Sequence, residues 1–182
     1  ATLERHGRID ILVHAAGILR AAGSTLRTVA QLTCHEWDEV VDTNLRGTYF
    51  ANRAVLPAML QAGRGDILNV SSKSGRQGIA FDAPYCASKF GVIGFSESLA
   101  EEVAGAGVRV QVMAPGRFAT EVLRQTGPLP TPDGIPPGSR VAEFIVWMLA
   151  MPADVRLASP ILEGVGANAA GGVRSHAFED GA

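Results

Sequence analysis

The chain has 182 residues, 47% hydrophobic and 19% charged, which is enough apolar material for the core of one domain. A formal net charge of −2 gives no electrostatic reason to expect a nucleic acid or an anionic membrane as partner. No apolar run reaches the roughly 18–20 residues of a membrane-spanning helix. Two cysteines, Cys34 and Cys86, make no disulfide framework. Cys34 beside His35 lacks the further ligands a metal needs, so ordinary packing in a reducing cytoplasm is the expectation.

The elements follow in chain order. Residues 1–6 read as the last turns of a helix that Gly7 stops, as if the chain began in the middle of an element. Ile9–His14 is a short apolar run ending in Ala15-Ala16-Gly17, the pattern of a buried parallel strand. Residues 18–32 read as a loop or short helix. Thr33-x-x-Glu36 is a capping box, and the apolar spacing after it predicts one helix to about Leu60, with Asn44 in its middle and Pro57 near its end.

A turn at Gly63-Arg64-Gly65 leads to a strand over Ile67–Ser72. After a loop over 73–82, Pro84 suits the first turn of a helix that runs to about Val103. Gly91 and Gly94 inside it each cost about 1 kcal/mol relative to Ala, which close packing against another backbone would justify. Val108–Met113 is the next strand and ends in Ala114-Pro115-Gly116. Residues 124–138 form a Pro/Gly-rich loop, a candidate lid. A helix over Arg140–Met151, with Val141, Phe144, Ile145 and Met148 inward, precedes a last strand over Leu157–Leu162. The domain is expected over 1–165, with a disordered tail over 166–182.

Alternating strands and helices predict an α/β fold of three layers, a parallel sheet with helices on both faces. Sites in such sheets lie beyond the carboxyl ends of the strands. Three of those ends, at Ala15-Ala16-Gly17, Ser71-Ser72 and Ala114-Pro115-Gly116, converge on one crevice.

Tyr85 and Lys89 stand four apart at the start of a helix, on one face. With two Tyr and two Lys in the chain, chance supplies such a pair roughly 0.02 times. A free phenol titrates near pH 10, and a neighbouring ammonium lowers that value toward useful proton exchange. Ser72, thirteen residues upstream of Tyr85 at a strand end, offers a donor to a carbonyl oxygen. Each residue alone has an ordinary structural reading: a packed aromatic beside a surface lysine, a loop-capping hydroxyl, a structural amide at Asn44. Their joint occurrence favours chemistry.

These segments resemble the short-chain dehydrogenase/reductase family, including its 3-oxoacyl-carrier-protein reductases. The matching stretches are Arg8–Val13 with Ala16-Gly17, Asp42-Thr43-Asn44, Asn69–Ser72, Tyr85–Lys89, and Ala114-Pro115-Gly116 with Thr120. The resemblance implies a doubly wound Rossmann-type sheet and an Asn44–Ser72–Tyr85–Lys89 tetrad. Tyr85 is then the proton donor or acceptor and Ser72 holds the substrate oxygen. Lys89 binds the nicotinamide ribose, and Asn44 holds a water that relays protons. His14, Ala15, Ala16 and Gly17 line the adenosine side of an NAD(P) cofactor, with NADP slightly favoured. Pro115, Gly116, Phe118 and Thr120 line its nicotinamide. The implied substrate is a small carbonyl or alcohol compound, and the implied assembly a homodimer or homotetramer.

The sequence departs from the family in lacking a glycine-rich phosphate loop before Ile9. At roughly 30 residues per βαβ unit, about 70 residues are expected to be missing. The chain alone is then expected to bind NAD(P)H weakly and to expose Ile9–Val13 as an apolar edge. Other departures are His14-Ala15 where the family has Asn-Asn, and no Val-Asp-Gly-Gly-like ending after Leu162. Two alternatives stand beside the reductase reading: a naturally truncated, non-enzymatic chain that acts by hetero-oligomerisation, and a nucleotide-sugar epimerase, which shares Tyr-x-x-x-Lys.

Overall fold

The computed structural model describes residues 2–124 and 135–165. Four parallel strands form one sheet in sequential order: β1 (Ile11–His14), β2 (Gly65–Val70), β3 (Val108–Pro115) and β4 (Ile161–Leu162). The helices are α1 (Thr2–His6), α2 (Cys34–Val41), α3 (Gly47–Ala62), α4 (Ala83–Glu102), α5 (Glu121–Arg124) and α6 (Ser139–Leu149). β1 and β4 are shorter than expected. The sheet register pairs Ile11 with Asp66 and His14 with Asn69, and the two residues of β4 stand opposite Ala114 and Pro115. The tail over 166–182 and residues 125–134 of the candidate lid lie outside the described residues. At the lid's flanks, the Ala119 amide donates to the Pro136 carbonyl at 2.9 Å.

Alternation along β2 and β3 builds the layers. Ile67, Val108 and Val110 face α3 and α4, where they bury Val55, Met59, Leu99, Ala100 and Val103. Leu68 and Met113 face the other way and bury Met148 of α6, with Val141, Phe144 and Ile145 packed around it as the spacing predicted. Both faces of the central strands are therefore covered. β1 is different. Leu12 packs toward the α3 layer, while Ile11 and Val13 on its opposite face are 53% and 41% exposed. The expected apolar exposure is present.

Local chemistry sets the element ends. The Thr33 capping box forms as the sequence requires, and Glu36 also accepts from Ser24 and Arg27, tying the 18–32 loop to α2. Gly63, at φ 63°, supplies the left-handed cap of α3. Gly107 (φ 76°) crosses Gly63 so closely that a Cβ there would stand 1.9 Å from its carbonyl oxygen, so only glycine fits. Gly91 is also explained by packing, though against the Leu45 side chain rather than a backbone; Gly94 faces open space.

The single long helix expected from Thr33 to Leu60 is interrupted. Asp42–Arg46 forms a π-helical turn between α2 and α3. The apolar residues on either side of the turn keep spacings that an unbroken helix also allows, so the break was not visible in the sequence. Such turns insert a residue and re-aim side chains, often at functional sites. Here the turn carries Asn44, which has no exposed surface.

Candidate active site

Tyr85 and Lys89 lie in the first two turns of α4, both buried, with the Lys89 Nζ 5.7 Å from the centre of the Tyr85 ring. α4 starts at Ala83-Pro84, where proline suits a first turn. Two bonds fix this helix beneath the end of β2. The Ser71 hydroxyl donates to the Lys89 carbonyl at 2.8 Å, and the Lys89 ammonium donates to the Val70 carbonyl at 3.1 Å. Ser72 lies two residues beyond β2 instead of inside it, in extended conformation, and its hydroxyl accepts from the Ser74 amide as the cap of a short 3₁₀ turn, Lys73–Gly75.

Asn44 is fully engaged. Its Oδ1 accepts from the Ile18 amide at 2.8 Å, and its Nδ2 donates to the Ile18 carbonyl at 2.8 Å and to the Ser88 hydroxyl at 3.0 Å. The Ser88 hydroxyl in turn donates to the Tyr85 carbonyl. The Asn44 backbone carbonyl accepts from the Thr48 hydroxyl at 2.6 Å. Asn44 thus latches the loop after β1 to the helix that carries Tyr85 and Lys89.

Burial dominates the electrostatics. It pulls Lys89 down from its ordinary 10.5 to about 8, because an ammonium loses hydration there. Burial pushes the Tyr85 phenol above its ordinary 10, while hydrogen bonding with the Ser72 hydroxyl acts in the opposite direction. Burial, then the Lys89 charge, lowers His14. His14 stands at the end of β1, its Nδ1 3.3 Å from the Thr48 hydroxyl.

The remaining predicted residues fall around the same crevice. Ala15 and Ala16 are exposed beyond β1, with Gly17 half-buried after them. Pro115 ends β3, and the Gly116 amide donates to the Leu162 carbonyl at 2.8 Å. Phe118 is buried and Thr120 exposed in the segment that follows. A Cβ at Gly17 would stand 3.0 Å from the Asn44 Oδ1 and 3.3 Å from the Lys89 Nζ, so the backbone there passes directly over the ammonium. Among the described residues Lys89 has one protein acceptor, Val70. An ammonium with spare donors, a phenol and a hydroxyl beside exposed backbone suits ribose hydroxyls and a carbonyl oxygen. The residues present therefore fit a nicotinamide dinucleotide.

The sequence reading missed Arg20, Asp82, Ser88 and Thr48. Asp82 carried a usable signal, an Asp just before an Ala-Pro helix start. Its side chain makes no helix cap and bonds Arg20 at 2.5 Å instead. No cluster of His, Cys, Asp or Glu suited to a metal occurs among the described residues. No helix of the described residues is long and apolar enough to cross a membrane.

The model of the short chain dehydrogenase family matches residues 1–129, and the chain belongs to that family. It is 38% identical over 135 residues to a 3-oxoacyl-[acyl-carrier-protein] reductase of Synechocystis, covering 74% of this chain and 53% of that protein. It is also 38% identical over 135 residues to a D-threitol dehydrogenase of Mycolicibacterium smegmatis, covering 74% of this chain and 50% of that protein. A metagenomic short-chain oxidoreductase solved in complex with NADP superposes with a TM-score of 0.70 at 31% identity, covering 89% of this chain and 65% of that one. The chain spans about half the length of the two named relatives.

Proposed function

We propose that the chain carries the catalytic part of an NAD(P)-dependent oxidoreductase that interconverts a carbonyl and a secondary alcohol. The observation that carries this reading is the burial of Tyr85 and Lys89 together on α4, beneath the Ser72 turn. Lys89, Tyr85, the His14–Gly17 backbone, Pro115, Gly116, Phe118 and Thr120 hold the dinucleotide, which supplies or accepts the hydride when bound. The relative solved with NADP supports a phosphorylated cofactor.

The protein's own part is proton management. The Ser72 hydroxyl donates to the substrate oxygen and fixes its position. The Tyr85 hydroxyl donates to the same oxygen and gives up its proton as the alcohol forms. Burial keeps the phenol protonated at neutral pH, the form that serves carbonyl reduction. The Lys89 ammonium offsets the negative charge left on Tyr85. Asn44 acts as the latch described above, since its side chain is committed to Ile18 and Ser88. One relative is named for an acyl-carrier substrate and another for a polyol. A small or acyl carbonyl substrate, a cytoplasmic setting and a homodimer or homotetramer complete the proposal.

The test is Tyr85→Phe in a form of the protein that oxidises NAD(P)H with a ketone. The expected result is a loss of at least roughly 10²-fold in kcat with cofactor fluorescence titration unchanged. Retention of most of the activity overturns the assignment.

A further inference from the structure

Three consecutive residues of the loop after β1 touch three separate parts of the site. Ile18 holds both ends of the Asn44 amide. Leu19 packs on the Tyr85 side chain, with Val40 of α2 and Val122 of α5 completing the contact. Arg20 donates to the Asp82 carboxylate at 2.5 Å. Asp82 is the residue before α4, and its carbonyl accepts the Cys86 amide in the first turn of the helix. The Arg20 and Asp82 side chains are 10% and 12% exposed, so the pair is not a surface ornament. The Arg20 Nε is buried and has no hydrogen-bond partner among the described residues. Arg20 lines a partly open pocket with Arg27, Glu36 and Asp82.

We propose that Arg20 is a positioning residue for Tyr85: it neutralises the Asp82 carboxylate three residues before the phenol and so sets how readily Tyr85 releases its proton. This rests on Tyr85 being the proton donor, but its test does not need activity. The other ionisable groups around Tyr85 are accounted for. Lys89 and Cys86 share its helix, and Ser72 approaches from the turn after β2. His14 lies near Lys89 at the end of β1. Glu36 of α2 is bonded to Arg27 and Ser24, and Glu121 precedes Val122 on α5. Asp82 is the carboxylate nearest Tyr85 along the chain, standing just before α4 and three residues from the phenol, and its charge, like that of Cys86, opposes proton release from Tyr85, so its neutralisation has a defined direction.

The chain has only two tyrosines, Tyr49 and Tyr85. In a Tyr49→Phe background, the phenolate absorbance of the 182-residue chain reports Tyr85 alone. Titrations are compared over the pH range in which circular dichroism is unchanged. Arg20→Gln is expected to move the Tyr85 transition up and Asp82→Asn to move it down, each by roughly 0.5–1 unit. Arg20→Lys, which keeps the charge, is expected to restore the parental transition. A merely structural pair lowers the melting temperature in Arg20→Gln without moving the transition. Coincident transitions in the parent, Arg20→Gln and Asp82→Asn overturn the proposal. Shifted transitions in a protein that shows no reductase activity leave the pair standing and sink only the proposed reaction.

Discussion

The two ends of the sheet handle their charges in opposite ways. At the amino ends of the strands, Arg109 is the second residue of β3 and is 8% exposed. Its guanidinium donates to Asp66 and to the carbonyls of Leu149, Met151, Pro152 and Val155, closing the end of α6. At the carboxyl ends, Lys89 is as deeply buried, yet among the described residues it donates to one carbonyl and the Arg20 Nε to none. One buried cation is saturated with acceptors; the other is left with donors to spare. Sequences that specify a fold satisfy buried polar groups, and the exceptions concentrate where a ligand is to be met. The contrast sets a saturated end of the sheet against the end that carries the proposed site.

The largest effect is expected where saturation is complete. Arg109→Ala strands Asp66 and four carbonyls, and is expected to lower unfolding free energy by roughly 2–4 kcal/mol. Denaturant unfolding followed by circular dichroism measures it. Arg109→Lys keeps the charge but not the fork of donors, so it recovers only part of the loss. A neutral outcome for Arg109→Ala would erase the distinction between the two ends.

The opposite sign is expected at Lys89. Its folded-state value of about 8 lies below its ordinary 10.5 because burial disfavours the ammonium. Below pH 8 both folded and unfolded chains carry the charge, and the folded chain bears the whole cost. Between pH 8 and 10.5 the folded chain loses its proton first, so the cost fades as pH rises. Lys89→Met is therefore expected to stabilise the chain by about 1–3 kcal/mol at neutral pH, with the gain vanishing toward pH 10.5. The same change is expected to abolish the proposed oxidoreductase activity, a trade of function against stability. Melting temperatures of both proteins across pH 6–10 test this, and a destabilised Lys89→Met at pH 7 would contradict it.

The difference between the ends also explains what the sequence could reveal. Tyr85, Lys89 and Ser72 were legible because four-residue spacing and a strand end are local patterns. The inward stripe of α6 was legible for the same reason. Arg109 was not, because its acceptors lie on the far side of a helix about forty residues later in the chain. Arg20 and Asp82 are separated by 62 residues, and only folding makes them neighbours. Asn44 was picked out, but its π-turn and its bonds to Ile18 and Ser88 were hidden behind apolar spacings that an unbroken helix also allows. The sequence reading gave Tyr85 an acidifying ammonium; the folded chain adds burial, which acts in the other direction.

The smallest effect probes how tightly the functional end is held. Gly17 has no need of a glycine conformation, since its φ is not in the left-handed region. What it lacks is room: a Cβ meets the Asn44 Oδ1 at 3.0 Å and the Lys89 Nζ at 3.3 Å. Asn44 cannot swing aside without losing bonds to Ile18 and Ser88. Lys89 is the softer neighbour, its ammonium held among the described residues by the Val70 carbonyl alone. Gly17→Ala is therefore expected to displace the lysine more than the amide, at a cost of about 1 kcal/mol. Gly94→Ala, inside α4 with open space around the added methyl, serves as control and is expected to stabilise by roughly 0.4–1 kcal/mol. The pair separates crowding from backbone entropy in thermal unfolding measured side by side. Equal gains from both substitutions would mean that the backbone over Lys89 has slack, and the functional end would then be loosely built rather than held open.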